Sequence, residues 1–207
     1  MNHTIDDLQQ IANTINQCQA CDLHRTRKNA VPGAGPADAE IMLIGEGPGF
    51  HENEQGLPFV GASGNFLTTL LESAGYNRGD VFITNVVKCR PPSNRDPKPE
   101  ELLACEAYLD KQIEIIDPLI IITLGRFSMA RYFDNARISR IHGKAQWQDN
   151  RFIIPMYHPA AALHQPKLRS VIAHDFSQLH ELIEKAKRTL HQPSQEDTDQ
   201  ATQLSFL

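Results

Sequence analysis

Four short, almost wholly apolar runs constrain this chain more than anything else in it: Ile41–Gly45, Val81–Val86, Leu119–Leu124 and Phe152–Met156. Each has the length of a strand and reads as buried on both faces. Between them stand stretches with helical spacing. Leu8, Ile11, Ala12 and Ile15 mark a first helix, and Phe66, Leu67, Leu70 and Leu71 mark a second that Gly75 stops. Further helices are expected over 100–116, from Arg126, and over 169–187, with a proline-rich loop at 90–99 and a basic loop or hairpin at 135–148. Strands alternating with helices predict an α/β fold, a parallel sheet covered on both faces. At 207 residues and 41% hydrophobic content, one domain with a sizeable core is expected, over residues 1–188.

In such a sheet the chemistry lies where the strands end at their carboxyl side. The segments there are Glu46–Gly49, Asn85–Cys89, Gly125–Arg126 and Tyr157–Leu163. Gly45-Glu46-Gly47-Pro48-Gly49 is a tight turn whose backbone can approach a ligand closely. It is not G-x-G-x-x-G and has no Walker lysine, so a nucleotide cofactor is not expected. Phe59 in Pro58-Phe59-Val60-Gly61 is either a stacking surface or a core residue. Asn85 can read a base edge with one donor and one acceptor, or cap a turn. His158, alone, reads as structural. Its convergence with a Glu, an Asn and a Phe on one sheet edge is what points to a site.

The four cysteines form two groups, Cys18-x-x-Cys21 and Cys89 with Cys105. A cytosolic chain argues against disulfides. Four thiols with one C-x-x-C suit zinc or an iron–sulfur cluster. The wide Cys89–Cys105 spacing is less typical of a zinc ribbon and favours the cluster. Four incidental buried cysteines are the remaining alternative.

Net charge is −5, and the tail after Leu190 carries Glu196, Asp197 and Asp199 with no Lys or Arg. A nucleic-acid partner would therefore depend on local patches: Arg25, Arg27 and Lys28; Lys88, Arg90, Arg95 and Lys98; Arg137, Arg140 and Lys144; Lys167 and Arg169. Taken alone, these read as ordinary solvated surface. No run approaches membrane-span length, and the polar start is not a secretory signal, so a cytoplasmic monomer is expected. Residues 189–201 read as a disordered linker.

Taken together, GEGPG (45–49), GLPFVGASG (56–64), TNVVKCRPP (84–92), the Cys105 helix and HPAAAL (158–163) resemble the family 4, iron–sulfur uracil-DNA glycosylases. The resemblance covers roughly residues 15–188. It implies a three-layer α/β/α sandwich with a central four-stranded parallel sheet. It implies removal of uracil from DNA in base excision repair, and a 4Fe–4S cluster on Cys18, Cys21, Cys89 and Cys105. It implies that Phe59 stacks on the flipped uracil and that Asn85 hydrogen-bonds its edge. His158 would stabilise the leaving group. Gly45, Glu46 and Gly47 would pack near the base, with Glu46 as the acid that activates water or shapes the loop. Some branches carry Asp where this chain has Gly47, and many relatives carry Arg where it has His164. Leu163 stands where a wedge residue would fill the hole left by the base. Arg140-Ile141-His142 is similar to a loop of a related branch whose His bonds covalently to the abasic sugar. Expected alternatives are thus a covalent uracil-DNA binder using His142, or an inactive Fe–S nucleic-acid-binding protein. The final residues, Gln203–Leu207, resemble peptides that dock on bacterial sliding clamps.

Overall fold

The computed structural model of the chain describes residues 3–191; the Gln203–Leu207 peptide lies outside them. In chain order the elements are α1 (His3–Gln17), β1 (Ile41–Gly45), α2 (Phe50–Gln55), α3 (Ala62–Ser73), β2 (Phe82–Asn85), α4 (Pro99–Ile116) and β3 (Ile120–Leu124). There follow α5 (Arg126–Met129), α6 (Ile138–Ile141), β4 (Gln146–Gln148), β5 (Arg151–Met156), α7 (Ala160–His164), α8 (Lys167–Ser177) and α9 (Leu179–His191).

The sheet has strand order β2-β1-β3-β5-β4, and the first four are mutually parallel. Alternation within β1 separates the layers. Ile41 and Leu43 pack with Leu67, Leu70 and Leu71 of α3, Ile172 and Phe176 of α8, and Leu179 and Ile183 of α9. Met42 and Ile44 face the other way, toward Leu109 and Ile116 of α4 and Leu8 of α1. This is the expected three-layer sandwich.

Two details differ from expectation. The sheet has a fifth strand: β4 pairs antiparallel with β5, closing the basic segment into a hairpin through Asp149 and Asn150, both at positive φ. Asp and Asn tolerate that conformation, which a two-residue hairpin turn requires. The expected last helix is two, divided at Gln178. Ile172, Phe176, Leu179 and Ile183 keep one apolar stripe across the break, so the periodicity carries no sign of it.

β1 lies between β2 and β3: the chain steps outward from β1 to β2 and then crosses back to β3 on the other side of β1. Such a switch opens a crevice at the carboxyl ends of the strands. Among the described residues no helix is long and apolar enough to cross a membrane.

Candidate functional site

A cleft of about 480 Å³ opens at that crevice. Glu46, Gly47, Phe59, Asn85 and His158 all line it, drawn from β1, the α2–α3 loop, β2 and β5. His164 also reaches it, from α7.

Asn85 ends β2 in register with Gly45. Its side chain is buried, and among the described residues its Oδ1 has no hydrogen-bond partner. A buried, unpaired amide oxygen costs about 1–3 kcal/mol. A Cβ on Gly45 would overlap both Asn85 Oδ1 and the Phe59 ring, so only glycine leaves the amide open to the cleft.

Phe59 is buried at φ +51°, a conformation rare for a bulky residue. Its neighbours hold it there. Val60 N–H and Gly61 N–H both donate to Glu52 Oε1 at 2.9 Å, and Arg78 donates to the Pro58 carbonyl at 2.5 Å. Glu52 Oε2 also accepts from Gly49 N–H at 3.1 Å. One buried carboxylate thus ties the GEGPG turn to the Phe59 turn. Sequence reasoning missed Glu52. Its signal was the position three residues after Gly49, where an acidic side chain can reach back to free N–H groups at a helix start.

The His158 ring lies 5.4 Å from that of Phe59, with 28° between their planes. Ala160 N–H donates to His158 Nδ1 at 3.1 Å. Burial lowers the imidazole from 6.5 to about 4, while the Glu52 charge partly opposes this. The ring is therefore neutral at ordinary pH. With Nδ1 accepting, the proton sits on Nε2, which makes that atom a donor.

Glu46 lines the cleft half-buried, and burial together with the Asp96 charge raises its carboxyl above the ordinary value, against Arg126. Arg126 and Asp96 pair with each other. A Cβ on Gly47 would stand 2.7 Å from Val87 Cγ2, so an Asp there would require this loop to shift.

The other expected residues stand apart. Leu163 is 46% exposed on α7. Arg140 is exposed at the end of α6, and neither it nor His142 lines the cleft. His142 Nδ1 lies 2.7 Å from buried Asp175, and its ring packs on Tyr157. Most of the basic patches lie at the surface, as expected: Arg25, Lys28, Lys98, Arg137, Arg140, Lys144, Lys167 and Arg169 are exposed, and Lys88 is the exception. Lys88 is wholly buried, its amine donating to Thr84 Oγ1 at 2.6 Å, the Asn85 carbonyl at 2.9 Å and Gln112 Oε1 at 2.6 Å. Burial pushes that amine down to about 7. Lys88 is thus a brace under Asn85 and no phosphate contact. Arg95 pairs with Glu101, and Arg169 lies over the Phe66 ring.

The four cysteines line a second cavity with Ile15, His24, Arg27, Lys88 and Tyr108. Cys18 follows α1, Cys21 opens the next turn, Cys89 follows the β2 loop and Cys105 lies on α4. Arg27 donates to Cys89 Sγ at 3.1 Å and to the Asn16 carbonyl at 2.7 Å. Burial raises the Cys21 and Cys89 thiols and pushes Cys105 to about 11. Among the described residues no three His, Cys, Asp or Glu side chains close tightly enough to hold a single metal ion.

Residues 32–185 match the Uracil DNA glycosylase superfamily. A type-4 uracil-DNA glycosylase of Saccharolobus solfataricus is 48% identical over 196 residues, covering 90% of this chain and 91% of the relative. Those of Sulfurisphaera tokodaii (89% of this chain, 88% of the relative) and Archaeoglobus fulgidus (90% and 98%) are each 46% identical. A type-5 enzyme of Thermus thermophilus aligns over 48% of the chain at 39% identity. The chain therefore belongs to the uracil-DNA glycosylase superfamily, in its type-4 family.

Proposed function

We propose that the chain hydrolyses the N-glycosidic bond of uracil in DNA, with the strand-end cleft as its base pocket. The observation that carries this is the unpartnered Oδ1 of buried Asn85. Uracil offers a ring N–H donor and a carbonyl acceptor on one edge, the complement of an amide; cytosine presents an amino group where that acceptor stands. A base stacked in a duplex cannot reach such a pocket, so the nucleotide must be extruded. Phe59 then supplies an aromatic face for it.

When the bond between C1′ and N1 breaks, uracil leaves as an anion with charge on its O2. The His158 Nε2–H donates a hydrogen bond to that oxygen and need not transfer its proton. The sugar is left as an oxocarbenium-like cation. Water adds its oxygen to C1′, and ionised Glu46 accepts the proton that water loses. Lys88 and Glu52 hold the Asn85 and Phe59 turns through the backbone contacts described above.

The cysteine cavity fits a 4Fe–4S cluster. Its donor set is all thiol, the four cysteines line one cavity, and among the described residues no three ligand side chains close on a single ion, which suits a group whose metal corners stand apart better than one tetrahedral zinc. Cys18, Cys21, Cys89 and Cys105 would hold it, releasing their protons on binding. When bound, the group supplies a covalent cross-link between α1, α4 and the loop after β2.

Uracil release from uracil-containing DNA tests the pocket. Asn85→Ala and His158→Ala are each expected to lose about 100- to 1000-fold in kcat, the scale of one aimed donor. Undiminished release by both variants overturns the assignment. The tail Gln203–Leu207 would tether the enzyme to a sliding clamp by mass action through a linker. Clamp binding by the full chain that persists without those residues refutes the tether.

A further inference from the structure

Phe50 is the largest apolar side chain exposed beside the cleft, at 52%. It directly follows Gly49, a cleft-lining residue. An exposed aromatic is ordinarily of no consequence, but this one is braced. The Arg90 guanidinium lies 5.3 Å from the Phe50 ring centroid, and Arg90 Nε donates to Asn94 Oδ1 at 2.7 Å. His51 meets the same ring edge-on, its centroid 5.4 Å away. Arg90 immediately precedes cleft-lining Pro91, and Asn94 itself lines the cleft. Two sides of the cleft mouth are thus joined by an aromatic–cation contact whose ring keeps half its surface in water. Neither Phe50 nor Arg90 takes part in the chemistry above.

We propose that Phe50, held by Arg90, is a stacking platform for a nucleobase next to the extruded uracil on the same strand. This rests on the cleft being the uracil pocket. Once uracil leaves the stack, its neighbour loses a stacking partner. An aromatic face within one residue of the pocket wall replaces that partner, and Arg90 adds a cation beside it. The contact is indifferent to which base it receives, because every base has a π-face. It favours single strands, in which the neighbouring base is free to turn onto the ring.

The test compares two single-stranded oligonucleotides, each with one uracil. In the first the flanking nucleotides carry ordinary bases; in the second they are baseless tetrahydrofuran spacers. Phe50→Ala is expected to raise KM about tenfold on the first, within the range of one base stacked on an aromatic, with kcat unchanged. On the second it should match the wild type, since no base is there to stack. Phe50→Trp should restore KM on the first. An equal loss on both oligonucleotides would show that Phe50 only shapes the loop, and no loss on either would show that nothing stacks there; each overturns the proposal. The pocket reading fails separately, through unchanged uracil release by Asn85→Ala.

Discussion

The base cleft and the cysteine cavity share a single stretch of chain, Asn85 to Pro91, yet they are built on opposite rules. The cleft is open and polar, and it keeps a price in place: an unpaired amide oxygen on Asn85 and a phenylalanine at positive φ. Both cost stability. The cavity is narrower and thiol-lined, its Cys89 and Cys105 packed in one apolar cluster with Ile15, Leu23, Ala30 and Val87, and Arg27 donates to Cys89. A recognition site leaves groups unsatisfied for its ligand, and the strain has to be borne by something rigid. Four residues beyond Asn85, Cys89 lines the cavity, and Lys88 between them braces the Asn85 carbonyl.

If the cavity is the scaffold and the cleft the chemistry, damage to each should look different. Cys89→Ser or Cys105→Ser should show the largest effect. With the proposed 4Fe–4S cluster bound there, its visible absorption should disappear, the thermal midpoint should fall by more than about 10 °C, as for loss of a structural metal, and uracil release should vanish with it. His158→Ala should remove activity while absorption and midpoint stay near wild type. Cysteine variants that keep full stability but lose activity would break the comparison and give the cavity a direct part in the reaction.

Glu52 belongs to the cleft by position and to the scaffold by behaviour, so it sharpens the boundary. Glu52→Ala strips the acceptor from three backbone N–H groups, those of Gly49, Val60 and Gly61. The expected result is a loss of about 2–3 kcal/mol in stability, measured by denaturant unfolding. A fall of 10- to 100-fold in kcat should accompany it, because a displaced Phe59 misplaces the base. Glu52→Gln, which keeps one acceptor oxygen, should recover most of both.

How far the sequence discloses such a site follows from what kind of signal each residue leaves. The strands, α3 and α4 are legible because apolar periodicity reports burial directly. Phe59, Asn85 and His158 are legible because strand ends are where chain order and space coincide. Glu52 and Lys88 are illegible by the same logic. Charged residues read as surface, and nothing in Val87-Lys88-Cys89 announces that the amine is enclosed by Thr84, Gln112 and a carbonyl. The other basic patches read more truly, since most of their residues are exposed, although the contacts of Arg27, Arg95 and Arg169 leave no periodic trace in the sequence. The fifth strand was half-visible, as a hairpin of unspecified pairing.

Titration gives the subtlest separation of the two cleft ionisable groups. His158 is neutral above about 4 and Glu46 titrates above its ordinary carboxylate value, so as pH falls Glu46 takes up its proton first. The acid limb of kcat in the wild type should therefore report Glu46, and the rate should be flat on the alkaline side through neutrality. Glu46→Gln should lower kcat and move the remaining acid limb down toward 4, where protonation of His158 Nδ1 destroys its bond from Ala160 N–H. Stability should move oppositely for the two groups. The depressed His158 pKa means the unfolded chain binds that proton first, so its contribution is whole above about 6.5 and declines as pH falls toward 4. The raised Glu46 pKa means the folded state is penalised when the carboxylate is ionised, so Glu46→Gln should raise the thermal midpoint at neutral pH by a few degrees while slowing the enzyme. A variant that is both less stable and unchanged in its acid limb would show Glu46 to be shaping the turn, and would leave the water to another group.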